Sequence, residues 1–101
     1  MILYNVTVKV NPEIQQDWLA WMKDVHIPDV LKTGLFSSYK LCRILHNEPD
    51  GVTYAIQYFC ASMKDFEQYQ RKHATALQAD HIQRYEGKYV AFRTLMEVID
   101  G

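Results

Sequence analysis

Glycine is scarce in this chain: four in 101 residues, none of them clustered. That leaves no glycine-rich loop to cradle a phosphate and no GxSxG elbow for a serine nucleophile. Cysteine is equally sparse, with Cys42 and Cys60 alone and no CxxC pair. If the two flank one hairpin centred near Pro49, Cys42 faces Ile56 and Cys60 faces Ser38, too far apart for a disulfide. Both are therefore expected to be free, buried, structural thiols.

Charge of one sign is also missing. Lys plus Arg number 11 against 12 acidic residues, and no run of like charge exceeds two. A broad phosphate-binding surface is excluded by that balance, and no nucleic-acid partner is expected. Gly51-Val52-Thr53-Tyr54-Ala55-Ile56-Gln57-Tyr58 superficially matches an RNA-stacking strand but lacks its leading basic residue. No segment approaches the ~20 apolar residues that span a bilayer, and the opening Met1-Ile2-Leu3-Tyr4-Asn5-Val6-Thr7 has no cationic leader. The expected setting is cytoplasmic, without membrane partners.

What the chain does have is 49% hydrophobic residues and 23% charged ones, ordinary globular usage, with seven tyrosines among its aromatics. One domain over residues 1–101 is long enough to build its own core.

Ile2, Tyr4, Val6, Val8 and Val10 alternate with more polar neighbours, which predicts a strand over 2–10. Asn11-Pro12-Glu13 supplies an N-cap, a first-turn proline and a first-turn acid. The helix that follows carries Ile14, Trp18, Trp21, Met22 and Val25 at helical spacing. Pro28 is expected to stop it near His26, leaving a short further turn closed by Gly34.

A mixed strand, Phe36 to His46, and a second, Val52 to Cys60, form a hairpin across Asn47-Glu48-Pro49-Asp50-Gly51. Ser62 with Asp65 starts a second helix bearing Met63, Phe66, Gln70, His73, Leu77 and His81, with a bend expected near 73–75. Val90, Phe92, Thr94, Met96 and Val98 then alternate with Ala91, Arg93, Leu95 and Glu97 as the last strand. The order βαββαβ predicts an α+β, ferredoxin-like fold, a four-stranded antiparallel sheet with both helices on one face.

The dry face is assigned Tyr4, Val6, Tyr54, Ile56, Tyr58 and Phe92. The other parity, holding Leu3, Tyr39, Leu41, Arg43, Gln57, Phe59, Arg93, Leu95 and Glu97, is too apolar for open water. It suggests a second copy packed sheet to sheet, with Arg43, Gln57, Arg93 and Glu97 at the homodimer interface.

Two histidines carry the candidate chemistry. His26, expected at a helix C-terminus, is either a cation favoured by the helix dipole or a proton donor, acceptor or ligand contact. His81 is either half of a core His–Tyr hydrogen bond or, with His26, Tyr54 and Tyr58, the wall of a small aromatic pocket. His73 and His81 lie about 12 Å apart along their helix, too far for one ion, so no metal and no cofactor is expected.

Ile2-Leu3-Tyr4-Asn5-Val6-Thr7-Val8, Trp18-Leu19-Ala20-Trp21-Met22 with His26-Ile27-Pro28, Gly34-Leu35-Phe36 to Leu41-Cys42-Arg43, and Tyr89-Val90-Ala91-Phe92-Arg93-Thr94-Leu95-Met96 together resemble a bacterial domain-of-unknown-function family, number 4286. The resemblance implies a dimeric α+β barrel and a bacterial cytosolic setting, and brings no catalytic residues with it. More distantly the layout is similar to small barrel dimers that include cofactor-free monooxygenases of antibiotic biosynthesis, dye-decolourising haem enzymes and lactone isomerases. The expected function is binding of a small apolar or aromatic molecule between helices and sheet, monooxygenase- or isomerase-like. The alternative is a non-catalytic dimeric interaction or regulatory module.

Overall fold

The computed structural model describes residues 1–45 and 48–101. Strand β1, Ile2–Val10, lies where alternation predicts it. Asn11 caps the next turn by accepting from the Glu13 N–H at 3.0 Å, and a 3₁₀ turn at Pro12–Ile14 leads into helix α1, residues 15–32.

Helix α1 does not stop at Pro28. It is α-helical over Gln15–Trp21, π-helical over Met22–His26 and α-helical again over Ile27–Lys32. The Ile27 N–H reaches back five residues to the Met22 carbonyl. A proline inside an α-helix lacks a donor and clashes with the carbonyl four residues earlier; a widened turn just before it relieves both. The extra residue also rotates the inward stripe. Val25, expected on it, is exposed, while Ile27 and Val30 are buried. His26 is thus held inside a continuous helix, which removes the helix-dipole reading of it. Gly34, at φ +78°, closes the element.

Strand β2 spans Ser38–Arg43 and β3 spans Val52–Cys60. The expected strand end at His46 and the loop position Asn47 lie outside the described residues. Helix α2, residues 63–85, opens with Ser62 accepting from the Asp65 N–H at 3.3 Å. It contains a second π-helical stretch, Gln70–Ala74, which overlaps the place where a bend was expected. Its buried face includes Phe66, Tyr69, Ala74, His81 and Tyr85, whereas Met63 and Ile82 are exposed. Strand β4 is Tyr89–Glu97.

The sheet order is β2-β3-β1-β4, every pair antiparallel, with β1 and β3 central. Rings from both helices meet the same sheet face, Trp18 on Tyr54 at 4.9 Å and Phe66 on Tyr4 at 5.0 Å between centroids. This is the ferredoxin-like α+β arrangement.

Register corrects the face assignments on both edge strands. In the β2–β3 hairpin Cys42 pairs with Ala55 and Ser38 with Phe59, one residue from the pairing expected. Because side chains alternate with period two, that offset turns β2 over. Arg43 pairs with Tyr54 and so belongs to the helix side, while Cys42 is exposed, not buried. On β4, Arg93 pairs with Val6 and Glu97 with Ile2, again the helix side, while Phe92 pairs with Thr7 on the open face. The Asn11 N–H to Lys88 carbonyl bond (2.9 Å) anchors that register. Of Arg43, Gln57, Arg93 and Glu97, only Gln57 stands on the open face.

Among the described residues no helix is long and apolar enough to cross a membrane.

Candidate functional site

Between the two helices and strands β1, β3 and β4 lies a cavity of about 40 Å³. That is room for about three water molecules, each needing some 10–15 Å³ by this measure. Its floor is sheet: Tyr4, Val6, Val8, Ile56 and Tyr58. Its roof comes from α1 through Met22, His26 and Val30, and from α2 through Tyr69, Leu77, Gln78 and His81. Strand β4 closes one side with Tyr89, Ala91 and Arg93. Both π-helical stretches border the roof, and the one in α1 turns His26 inward.

His26 and His81 approach across the helix pair, their ring centroids 5.9 Å apart at 65°. His81 is fixed by the opposite helix: the Trp18 indole N–H donates to its Nε2 at 2.9 Å, both groups buried. Indole nitrogen only donates, so Nε2 must be the acceptor and the neutral ring carries its proton on Nδ1. Burial, reinforced by His26 and Arg93, lowers the His81 pKa to about 4. His81 is neutral at pH 7 and its one basic nitrogen is occupied. The expected histidine–tyrosine bond is therefore a histidine–tryptophan bond. Tyr89 packs edge-on against the same ring at 4.4 Å.

His26 is held differently. Its ring stacks on Trp21 at 5.1 Å and 29°. Burial lowers its pKa, with Arg93 acting in the same sense and Asp29 and Asp80 opposing. No described residue hydrogen-bonds its ring nitrogens, so a neutral His26 presents the basic nitrogen that His81 does not.

Three polar groups converge opposite. Burial raises the Tyr4 pKa, and the Arg93 guanidinium and Gln78 amide that face its hydroxyl draw it back. Tyr58 and Tyr69 are likewise pushed above their usual range by burial, which keeps both phenols protonated.

Of the four pocket residues expected from sequence, His26, His81 and Tyr58 meet at this cavity and Tyr54 does not. Tyr54 is screened by Trp18, and its hydroxyl accepts from the Gln15 amide at 2.9 Å. Arg93, Gln78, Tyr4, Tyr69 and Tyr89 were not expected there. Arg93 is recoverable only from the β1–β4 register, because both parities of β4 are apolar enough to face a core. Among the described residues no group of His, Cys, Asp and Glu could hold a metal ion. A porphyrin does not fit: sites for molecules of that size run to about 300–1,000 Å³, far beyond this cavity.

Solved structures share the architecture at low identity. A mutant of MhuD with two manganese protoporphyrin IX bound per active site aligns with TM-score 0.74 and 17% identity, covering 100% of this chain and 97% of that one. A dimeric ferredoxin-like protein from an uncultured marine organism gives 0.72 and 8%, covering 100% and 97%. A mutant of SnoaB, a cofactor-independent oxygenase from Streptomyces nogalater, gives 0.69 and 8%, covering 99% and 95%. At these identities the likeness is one of fold. No curated protein matches the chain by sequence. Residues 1–99 match the family model described as domain of unknown function (DUF4286), and the chain belongs to that family.

Proposed function

We propose that this protein binds a small apolar or aromatic molecule in the cavity between its helices and sheet and moves a proton to or from it without a cofactor, as a monooxygenase- or isomerase-like enzyme. The observation that carries the proposal is the division of labour between two neutral histidines on one cavity. His26 has an unengaged basic nitrogen and acts as general base. His81, its Nε2 held by Trp18, offers only N–H and orients the ligand. Charge developing on a deprotonated substrate, an enolate or phenolate oxygen, is stabilised by Arg93, Gln78 and the Tyr4 hydroxyl. Deprotonation of this kind is common to cofactor-free oxygenation and to isomerisation. The likeness in fold to a cofactor-independent oxygenase agrees with it.

The proposal includes a homodimer. Strand β4 is an outer strand, yet Val90, Phe92 and Met96 are exposed on one face and Leu95 on the other. An exposed apolar strip of this kind on a sheet face is the pattern of a surface that a partner covers. A second copy that also wraps the outer edge of β4, where Leu95 is exposed on the helix side, would lengthen the cavity wall beside Arg93, enlarging a site that in one chain holds only water-sized space. A fold shared with a dimeric ferredoxin-like protein supports this.

The test is a thermal-shift screen of phenols, quinones, aromatic acids and flavins against the wild type and an Ala91→Phe variant, which fills the cavity. A compound that stabilises the wild type and not the variant is the expected result. Equal stabilisation of both would put binding elsewhere and end the proposal.

A further inference from the structure

We infer that the cavity, once enlarged beside Arg93 by the second copy, selects organic anions: an apolar, ring-sized body inside, with a carboxylate or equivalent oxyanion seated on Arg93. This deepens, and rests on, the binding role just proposed. The lining contains one permanent cation, Arg93, and no aspartate or glutamate. No described carboxylate forms an ion pair with that guanidinium. Arg93 also sits on the helix side of β4, paired across β1 Val6, so its charge faces the cavity and not the open sheet.

The rest of the wall fits the same ligand. Gln78 and the Tyr4 hydroxyl stand beside the guanidinium as donors, and planar guanidinium with neighbouring donors is the arrangement that grips a two-oxygen anion. Beyond them, apart from the two neutral histidines, the surfaces are Val6, Ile56, Leu77 and the rings of Tyr58 and Tyr69, which carry no charge to pair with a second one. A neutral ligand would leave the guanidinium without a counter-charge; an inorganic anion would leave the apolar walls unfilled. An anion bearing an apolar body satisfies both.

Benzoate and phenylacetate, their amides, and sodium sulfate are the probes, measured by calorimetry and thermal shift on the full chain, wild type and Arg93→Gln. Arg93 is exposed at the sheet edge, so the variant is expected to keep its fold, which circular dichroism checks. An acid at ten times its Kd is expected to raise the wild-type Tm by roughly 5–10 °C. Its amide should bind at least ~10-fold more weakly, a preference that Arg93→Gln abolishes. Acid and amide binding equally, an acid preference that survives Arg93→Gln, or sulfate matching benzoate each overturns the inference. If the amides bind while the acids do not, the cavity remains a binding site and only the anion selectivity falls. If no probe binds at all, the selectivity and the binding role fall together.

Discussion

The bond from the Trp18 indole to His81 Nε2 settles more chemistry than any other single contact in the molecule, because it fixes a tautomer. It was half legible in the sequence. Spacing aims Trp18 and His81 inward from their own helices, but nothing local says that the two helices bring them together. A consequence follows for stability against pH. In the folded chain His81 titrates near 4, in the unfolded chain near 6.5. Between those values the unfolded state holds the extra proton, so His81 favours the fold fully above about pH 6.5 and progressively less as pH falls toward about 4. His26, facing Asp29, Asp80, Arg93 and His81, adds in the same direction. Urea titrations from pH 7 to pH 4 should show stability declining through that window. Trp18→Phe, which leaves Nε2 without its donor, should cost about 2–4 kcal/mol at pH 7 and make the decline shallower. An unchanged pH dependence in that variant would mean that the indole does not hold the imidazole neutral.

At the scale of the element, what periodicity could see was type and order, and what it missed was phase. The Asn11 and Ser62 caps and strands β1, β3 and β4 stand where residue chemistry places them, while β2, Ser38–Arg43, starts two residues later than expected and Ile44 and Leu45 lie beyond its end. The π-helical stretch at Met22–His26 is invisible to a 3.6-residue count, since it inserts one residue and turns everything after it. That is why His26 faces the cavity and Val25 does not. Pro28 marks the place in the sequence, but it reads as a stop unless the widened turn is considered. Replacing it should therefore be mild: Pro28→Ala is expected to change stability by less than about 1 kcal/mol, because the wide turn has already removed the clash and the lost bond. A loss of several kcal/mol, measured by denaturation, would mean that Pro28 defines the helix and is not merely accommodated by it. On β2 and β4 the phase error was one of register, where a single-residue offset exchanges faces and apolar residues on both parities give no warning.

For the molecule as a whole, the corrected register moves the proposed dimer contact from charged residues to the apolar strip of β4. Val90, Phe92 and Met96 replace Arg43, Arg93 and Glu97, and Gln57 stays. Light scattering at micromolar concentration should give a dimer for the wild type and a folded monomer for Phe92→Glu; a monomeric wild type would contradict the assembly. The βαββαβ fold was legible from the order of periodic segments alone, the cavity only in part: His26, His81 and Tyr58 were expected on it and Arg93, Gln78 and Tyr4 were not, because it is made where five elements converge. Its role is tested most directly by the long-range ¹H–¹⁵N spectrum of the histidine imidazoles at pH 7, recorded with and without a compound that stabilises the protein. Both rings should be neutral, His81 with its proton on Nδ1, and the resonances of His26 and His81 should move on binding. A charged His81, or a bound compound that leaves both imidazoles unmoved, would contradict that role.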